Sequence, residues 1–98
     1  MRRAARRDAN EAIIVYSARN LGWYMRQIGE PVDFIGCLRG AWYPIEIKDP
    51  VNSKKKGKGK ELTKQQREFV DEAPGNVLIW RTTDDVVRAT NWLLTGER

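Results

Sequence analysis

Apolar residues recur at helical spacing near the start of the chain: Ala9, Ala12, Ile13, Tyr16 and Leu21, followed by Gly22 as a stop. Asp8 suits an N-cap and Glu11, three residues on, suits its capping-box partner. A first helix is therefore expected over 8–21. Three extended segments come next: Trp23 to Ile28, closed by Gly29-Glu30-Pro31, then Val32 to Leu38, then Ala41 to Lys48. The last two are joined by Arg39-Gly40, a two-residue hairpin turn. Thr63, with Gln66 at the matching capping position, opens a second helix that carries Phe69 and Val70 inward and stops at Pro74-Gly75. Asn76 to Arg81 is a short apolar run of the kind buried on both faces. Thr83-Asp84-Asp85 then begins a third helix, with Val86, Val87, Trp92, Leu93 and Leu94 turned to the sheet.

The order is α-β-β-β-α-β-α, an α/β fold with a small mixed central sheet flanked by helices. The third strand, second helix and fourth strand form a crossover unit, which places those two strands parallel. At 98 residues the chain is expected to be one domain over 1–98, with one thin two-layer core. No apolar run approaches the roughly 20 residues of a membrane span, and residues 1–7 lack the apolar stretch of a signal peptide.

Charge changes the picture. Four Arg (Arg2, Arg3, Arg6, Arg7) form an N-terminal arm over 1–7, and five Lys (Lys54, Lys55, Lys56, Lys58, Lys60) lie in a stretch over 49–62 interrupted by Pro50, Gly57 and Gly59. Without those nine, the remaining nine basic residues face 13 acidic ones, so an acidic body carries two basic appendages. Localised charge of this kind suits a phosphate backbone, and the glycine-punctuated stretch is expected to be flexible. The plain alternative is a solvated arm and loop. Having no histidine excludes Ser-His-Asp and Cys-His nucleophilic sites and His-ligated zinc. The lone Cys37 forbids an internal disulfide, suits a reducing, cytoplasmic setting, and is expected to be a small buried hydrophobe. Metal chemistry here must use carboxylates and carbonyls, and no organic cofactor is indicated.

Strand periodicity singles out one cluster. Along the third strand Tyr43, Ile45 and Ile47 face one way and Glu46 and Lys48 the other. With the turn at Arg39-Gly40, opposed residues sum to about 79, which sets Asp33 across from Glu46 unless Gly36 introduces a bulge. Two carboxylates and the backbone carbonyl of Ile47 make an all-oxygen site suited to Mg²⁺ or Mn²⁺, with Lys48 beside it to orient a water or neutralise developing charge. A cross-strand ion pair is the bland alternative.

Pro31-Val32-Asp33, followed by Glu46-Ile47-Lys48 on the next strand of a hairpin, resembles the PD-(D/E)xK nuclease motif. The flanking element order over roughly residues 8 to 81 resembles that superfamily's restriction-endonuclease-like core. More narrowly, 8–22, Gly29-Glu30-Pro31-Val32-Asp33, Glu46-Ile47-Lys48 and Leu62-Thr63-x-x-Gln66 are similar to small stand-alone VRR-NUC domains, many of them phage-encoded. The resemblance implies metal ligation by Asp33 and Glu46, with Glu11 helping directly or through water. It implies catalytic roles for Lys48 and for Gln66, the glutamine opening the helix after the lysine. Helix capping accounts equally for Glu11 and Gln66, and Gln65 is a rival to Gln66 if the helix phase differs. The sequence departs from the pattern in two places: Val32 separates Pro31 from Asp33, and Pro44 lies inside a strand expected to be central.

The resemblance thus implies a divalent-metal-dependent DNA endonuclease, selective for branched or flapped DNA and acting as a homodimer, in a bacterial cell or a phage-infected host. The basic arm and loop would grip the backbone without reading sequence. A non-catalytic DNA-binding or packaging accessory protein is the second expectation, and an RNase the third. Of the four tryptophans, Trp42 beside the hairpin turn is the best placed to stack on a base.

Overall fold

The two-residue turn Arg39-Gly40 fixes the architecture. Both residues take positive φ (52° and 87°), the hand that matches the twist of the flanking strands. It joins β2 (Phe34–Leu38) to β3 (Ala41–Ile47) in continuous antiparallel register, Leu38 opposite Ala41 through Phe34 opposite Ile45. No bulge interrupts this register at Gly36. β1 (Tyr24–Gln27) pairs antiparallel with β2, and β4 (Leu78–Trp80) pairs parallel with β3, giving the sheet order β1-β2-β3-β4. The computed structural model describes residues 9–50 and 62–96, with the side chain of Ala9 excluded. Arg2, Arg3, Arg6, Arg7, Asp8 and the loop lysines Lys54, Lys55, Lys56, Lys58 and Lys60 lie outside the described residues.

Two helices, α1 (Ala9–Asn20) and α3 (Thr83–Thr95), pack against each other and onto one face of the sheet. The core between them is Ile14, Val15, Ala18, Trp23, Met25, Phe34, Leu38, Ile45, Leu78, Trp80 and Val86. Trp23 is its hub: its ring meets Trp80 and Tyr43 edge-on, and its Nε1 donates to buried Thr90 Oγ1 at 2.9 Å. Among the described residues no helix is long and apolar enough to cross a membrane.

Several local expectations are corrected. The buried stripe of α1 is Ile14, Val15 and Ala18, while Ala12, Ile13, Tyr16 and Leu21 are exposed. The uninterrupted apolar run Ile13-Ile14-Val15-Tyr16 spans more than half a helical turn, so periodicity leaves the phase open. Packing chooses the phase that sets small Ala18 beside Trp23, whose amide donates to the Ala18 carbonyl. β4 is an edge strand with Leu78 and Trp80 buried and Ile79 half-buried, not a strand buried on both faces. The N-cap of α3 is Thr82, in a capping box with Asp85, which leaves Val87 and Leu94 exposed and Val86, Trp92 and Leu93 against the core. Cys37 is half-buried, because odd positions of β2 face away from α1 and α3. Asp49 and Pro50 are buried and half-buried, so the first two residues of the stretch expected to be flexible are packed on the fold.

Pro44 is accommodated by the lopsided pairing of β3. Lys48 N–H donates to the Trp80 carbonyl, so even positions of β3 face β4, yet β4 pairs only with Ile45, Glu46 and Ile47. The N–H that proline lacks would have faced an unpaired stretch, and no ladder bond is lost.

Candidate functional site

Glu46 and Lys48 stand on the sheet face opposite the core, and Gln66 of the second helix reaches Glu46 there. α2 (Lys64–Glu72) starts at the N-cap Thr63, whose Oγ1 accepts from the Gln66 amide, while Gln66 Oε1 accepts from the Thr63 amide. This capping box fixes the glutamine side chain, and its Nε2 donates to Glu46 Oε2 at 2.7 Å. One residue thus caps its helix and touches the carboxylate, so capping does not keep Gln66 away from Glu46. Gln65 instead lines an open cleft of about 530 Å³ with Gly29, Glu30, Pro31, Thr63 and Gln66. Phe69 and Val70 are half-buried, and no residue of α2 is fully buried.

Asp33 precedes β2 and is held through every polar group of its backbone. Its N–H donates to Glu46 Oε1 at 3.1 Å, and its carbonyl accepts from the amides of Ile28 and Gly29. Its carboxylate accepts from the Ile47 amide at 2.9 Å. Register and side chains therefore place Asp33 across from Glu46, with the same sum of residue numbers as the pairs of β2 and β3. The backbone of Ile47 is engaged by its N–H. In an extended strand the N–H and C=O of one residue face the same edge, so the Ile47 carbonyl is on Asp33's side.

Glu46 is 1% exposed. Burial first, then the Asp33 carboxylate, push it up to about 7, and a hydrogen bond shared with the Asp33 side chain adds to this while Lys48 pulls it down. Lys48 Nζ lies 3.5 Å from Glu46 Oε2 and is itself buried. Its backbone is clamped on both sides: its amide donates to Trp80, and its carbonyl accepts from Asn10 Nδ2 at 2.9 Å. Asn10 also reaches the Arg81 carbonyl, and Arg81 Nη1 donates to the Asp49 carbonyl. Asn10, Asp49 and Arg81 were not singled out by the sequence, which carries no local signal for contacts 32 to 71 residues apart.

Glu11 lies in the first turn of α1, half-buried and with a partner of its own. Among the described residues no three acidic or cysteine side chains converge as a metal-holding group, so the structure does not bring Glu11 together with Asp33 and Glu46. The pair Asp33 and Glu46 nonetheless fits a divalent cation. The Asp33 carboxylate adds to the burial that raises Glu46, and that excess negative charge is what a hard cation neutralises.

Compared with known proteins, the chain matches no protein-family model, no curated protein and no solved structure.

Proposed function

We propose that the protein is a divalent-metal-dependent endonuclease that hydrolyses DNA phosphodiester bonds on a restriction-endonuclease-like fold, as the resemblance to VRR-NUC domains implies. The observation that carries the proposal is the Asp33–Glu46–Lys48 cluster: a buried Glu46 pushed up by burial and by the Asp33 carboxylate, with a buried ammonium 3.5 Å away. Such a cluster is destabilising unless a cation or a reaction uses it. Asp33, Glu46 and the Ile47 carbonyl would hold Mg²⁺ or Mn²⁺. When bound, such an ion polarises a phosphoryl oxygen and lowers the pKa of water.

The chain's own residues supply the rest. Gln66 and the Asp33 amide hold the Glu46 carboxylate in one orientation. Asn10 and Trp80 fix the Lys48 backbone, so its ammonium is aimed before substrate arrives. Lys48 would orient the attacking water and offset the charge developing on the phosphate. The arm of Arg2, Arg3, Arg6 and Arg7 and the loop lysines Lys54, Lys55, Lys56, Lys58 and Lys60 would grip the backbone. Among the described residues one chain presents one such cluster, so cutting both strands of branched or flapped DNA calls for a two-fold dimer.

The test incubates labelled four-way junction, flap, linear duplex and single-stranded DNA, with a matched RNA, in Mg²⁺, Mn²⁺ or EDTA. Each is run beside Lys48→Ala. Metal-dependent cutting of DNA, lost in the variant, is the expected result. Binding without cutting, unchanged by EDTA or the substitution, overturns the proposal in favour of an accessory DNA-binding protein, and cutting of RNA alone reassigns the substrate.

A further inference from the structure

The sheet face that carries the carboxylates does not end with them. Cross-strand register sets Tyr24 of β1, Cys37 of β2 and Trp42 of β3 in one row on that face, and Arg26, Ile35 and Pro44 in the next. The face is left open there: Tyr24 is 51% exposed and Trp42 56%, their rings 6.0 Å apart and edge-on at 76°. Arg26 is exposed beside them and has no ion-pair partner among the described residues. Two large rings beside an exposed guanidinium, without a carboxylate in either row, are complementary to a base together with its phosphate. Trp42 stands four residues before Glu46 on the same strand and face, roughly 14 Å at about 3.4 Å per residue. Nucleotides stacked as in a duplex advance about 3.4 Å each and unstacked ones advance further, so a strand lying along β3 reaches the aromatic row within about four nucleotides of the carboxylates.

We infer that Tyr24, Trp42 and Arg26 form a stacking platform for unpaired bases of the nucleic-acid strand engaged at Asp33 and Glu46. This rests on the nuclease reading for its substrate class and deepens it: the platform favours DNA with a single-stranded segment, because the bases of an intact duplex offer no free face to a ring. Arg26 meets the phosphate of the same nucleotide, and Trp42 supplies the apolar surface.

The experiment measures binding and not cleavage, so its outcome is independent of the Lys48 assay. The full-length protein is titrated in EDTA against a labelled short oligothymidylate and a labelled duplex of equal length, by fluorescence anisotropy, at two salt concentrations. Trp42→Ala and Tyr24→Ala are each expected to weaken single-strand binding about tenfold and leave duplex binding within about twofold. Trp42→Phe is expected to retain most of the wild-type affinity. The salt slope should be unchanged by the aromatic substitutions and shallower in Arg26→Ala. Equal losses on both DNAs, no loss in Trp42→Ala, or no binding of the oligothymidylate by the wild type overturns the inference. Sedimentation is run alongside: a wild-type dimer that dissociates in Trp42→Ala assigns this face to a second copy of the chain, which also overturns it.

Discussion

Asp33 and Glu46 hold each other by exchanging backbone for side chain. The Asp33 amide donates to Glu46 Oε1, and the amide that follows Glu46, that of Ile47, donates to Asp33 Oδ2. Where the regular ladder of β2 and β3 stops at Phe34 and Ile45, the two carboxylates continue it. Each is thereby oriented by a neutral donor, which fixes geometry without supplying the positive charge the pair lacks. The consequence is electrostatic: Glu46 is buried, faces Asp33, and is pushed up to about 7.

That shift makes stability depend on pH. Between about 4.5 and about 7 the folded chain keeps a proton on Glu46 that the unfolded chain has released. The contribution is therefore complete below about 4.5 and is lost as pH rises through about 7. In EDTA, urea denaturation is expected to show the wild type losing up to about 3 kcal/mol relative to Glu46→Gln between about pH 5 and about pH 8. The glutamine keeps the shape and cannot ionise. Parallel pH profiles of the two proteins would falsify the assignment of the strained carboxylate to Glu46.

Gln66 separates capping from site chemistry. Thr63→Ala removes the hydroxyl that accepts from the Gln66 amide and is expected to cost about 1 kcal/mol. Gln66→Ala removes the reciprocal half of the box and also the donor to Glu46, and about 2 kcal/mol is expected. Gln66→Glu keeps an acceptor for the Thr63 amide but sets an oxygen against Glu46 Oε2. Its destabilisation should be larger at pH 8 than at pH 5, whereas that of Thr63→Ala should be the same at both. Denaturation curves at the two pH values distinguish these outcomes.

How much of this was legible follows from where each constraint resides. A two-residue turn with Gly40 in it leaves one hairpin register, so the Asp33–Glu46 apposition and the outward side of Glu46 and Lys48 follow from counting. The box of Thr63 and Gln66 is equally local, four consecutive residues. The phase of α1 is not local: four successive apolar residues fit two faces, and only the sheet decides between them. Nor is the clamp on Lys48, where Asn10 reaches a carbonyl 38 residues away. The hydrogen bond from Gln66 to Glu46 needs the start of α2 brought to β3 across 20 residues, and no spacing in the chain encodes that.

Gly36 ties the core to the site. A Cβ there would meet Ile45 Cδ1 at 2.6 Å and Trp23 Cε3 at 3.0 Å. Ile45 is fully buried next to Glu46 on β3, so the glycine is needed for the close approach of these side chains. Gly36→Ala is expected to destabilise by about 1–3 kcal/mol through overpacking. Combining it with Ile45→Val removes the Cδ1 that clashes, and the double variant should be more stable than the sum of the single effects predicts. Thermal unfolding of the four proteins measures that coupling.

Divalent cations and protons should compete at Glu46. At pH 8 Glu46 is already ionised, and Mg²⁺ or Mn²⁺ at about 100 times its dissociation constant is expected to stabilise the fold by about 2.7 kcal/mol. Below about 7 the ion must first displace the proton on Glu46, so its apparent affinity is expected to fall up to tenfold per pH unit. Titration calorimetry in two buffers of different ionisation heat should detect release of nearly one proton per ion at about pH 6 and almost none at about pH 8.5. Asp33→Asn leaves one carboxylate and removes the repulsion that raised Glu46, so it should weaken the ion while shifting proton release to lower pH. An unrelated surface site would show neither the pH dependence nor its shift in this variant, and that result would detach the metal from the Asp33–Glu46 pair.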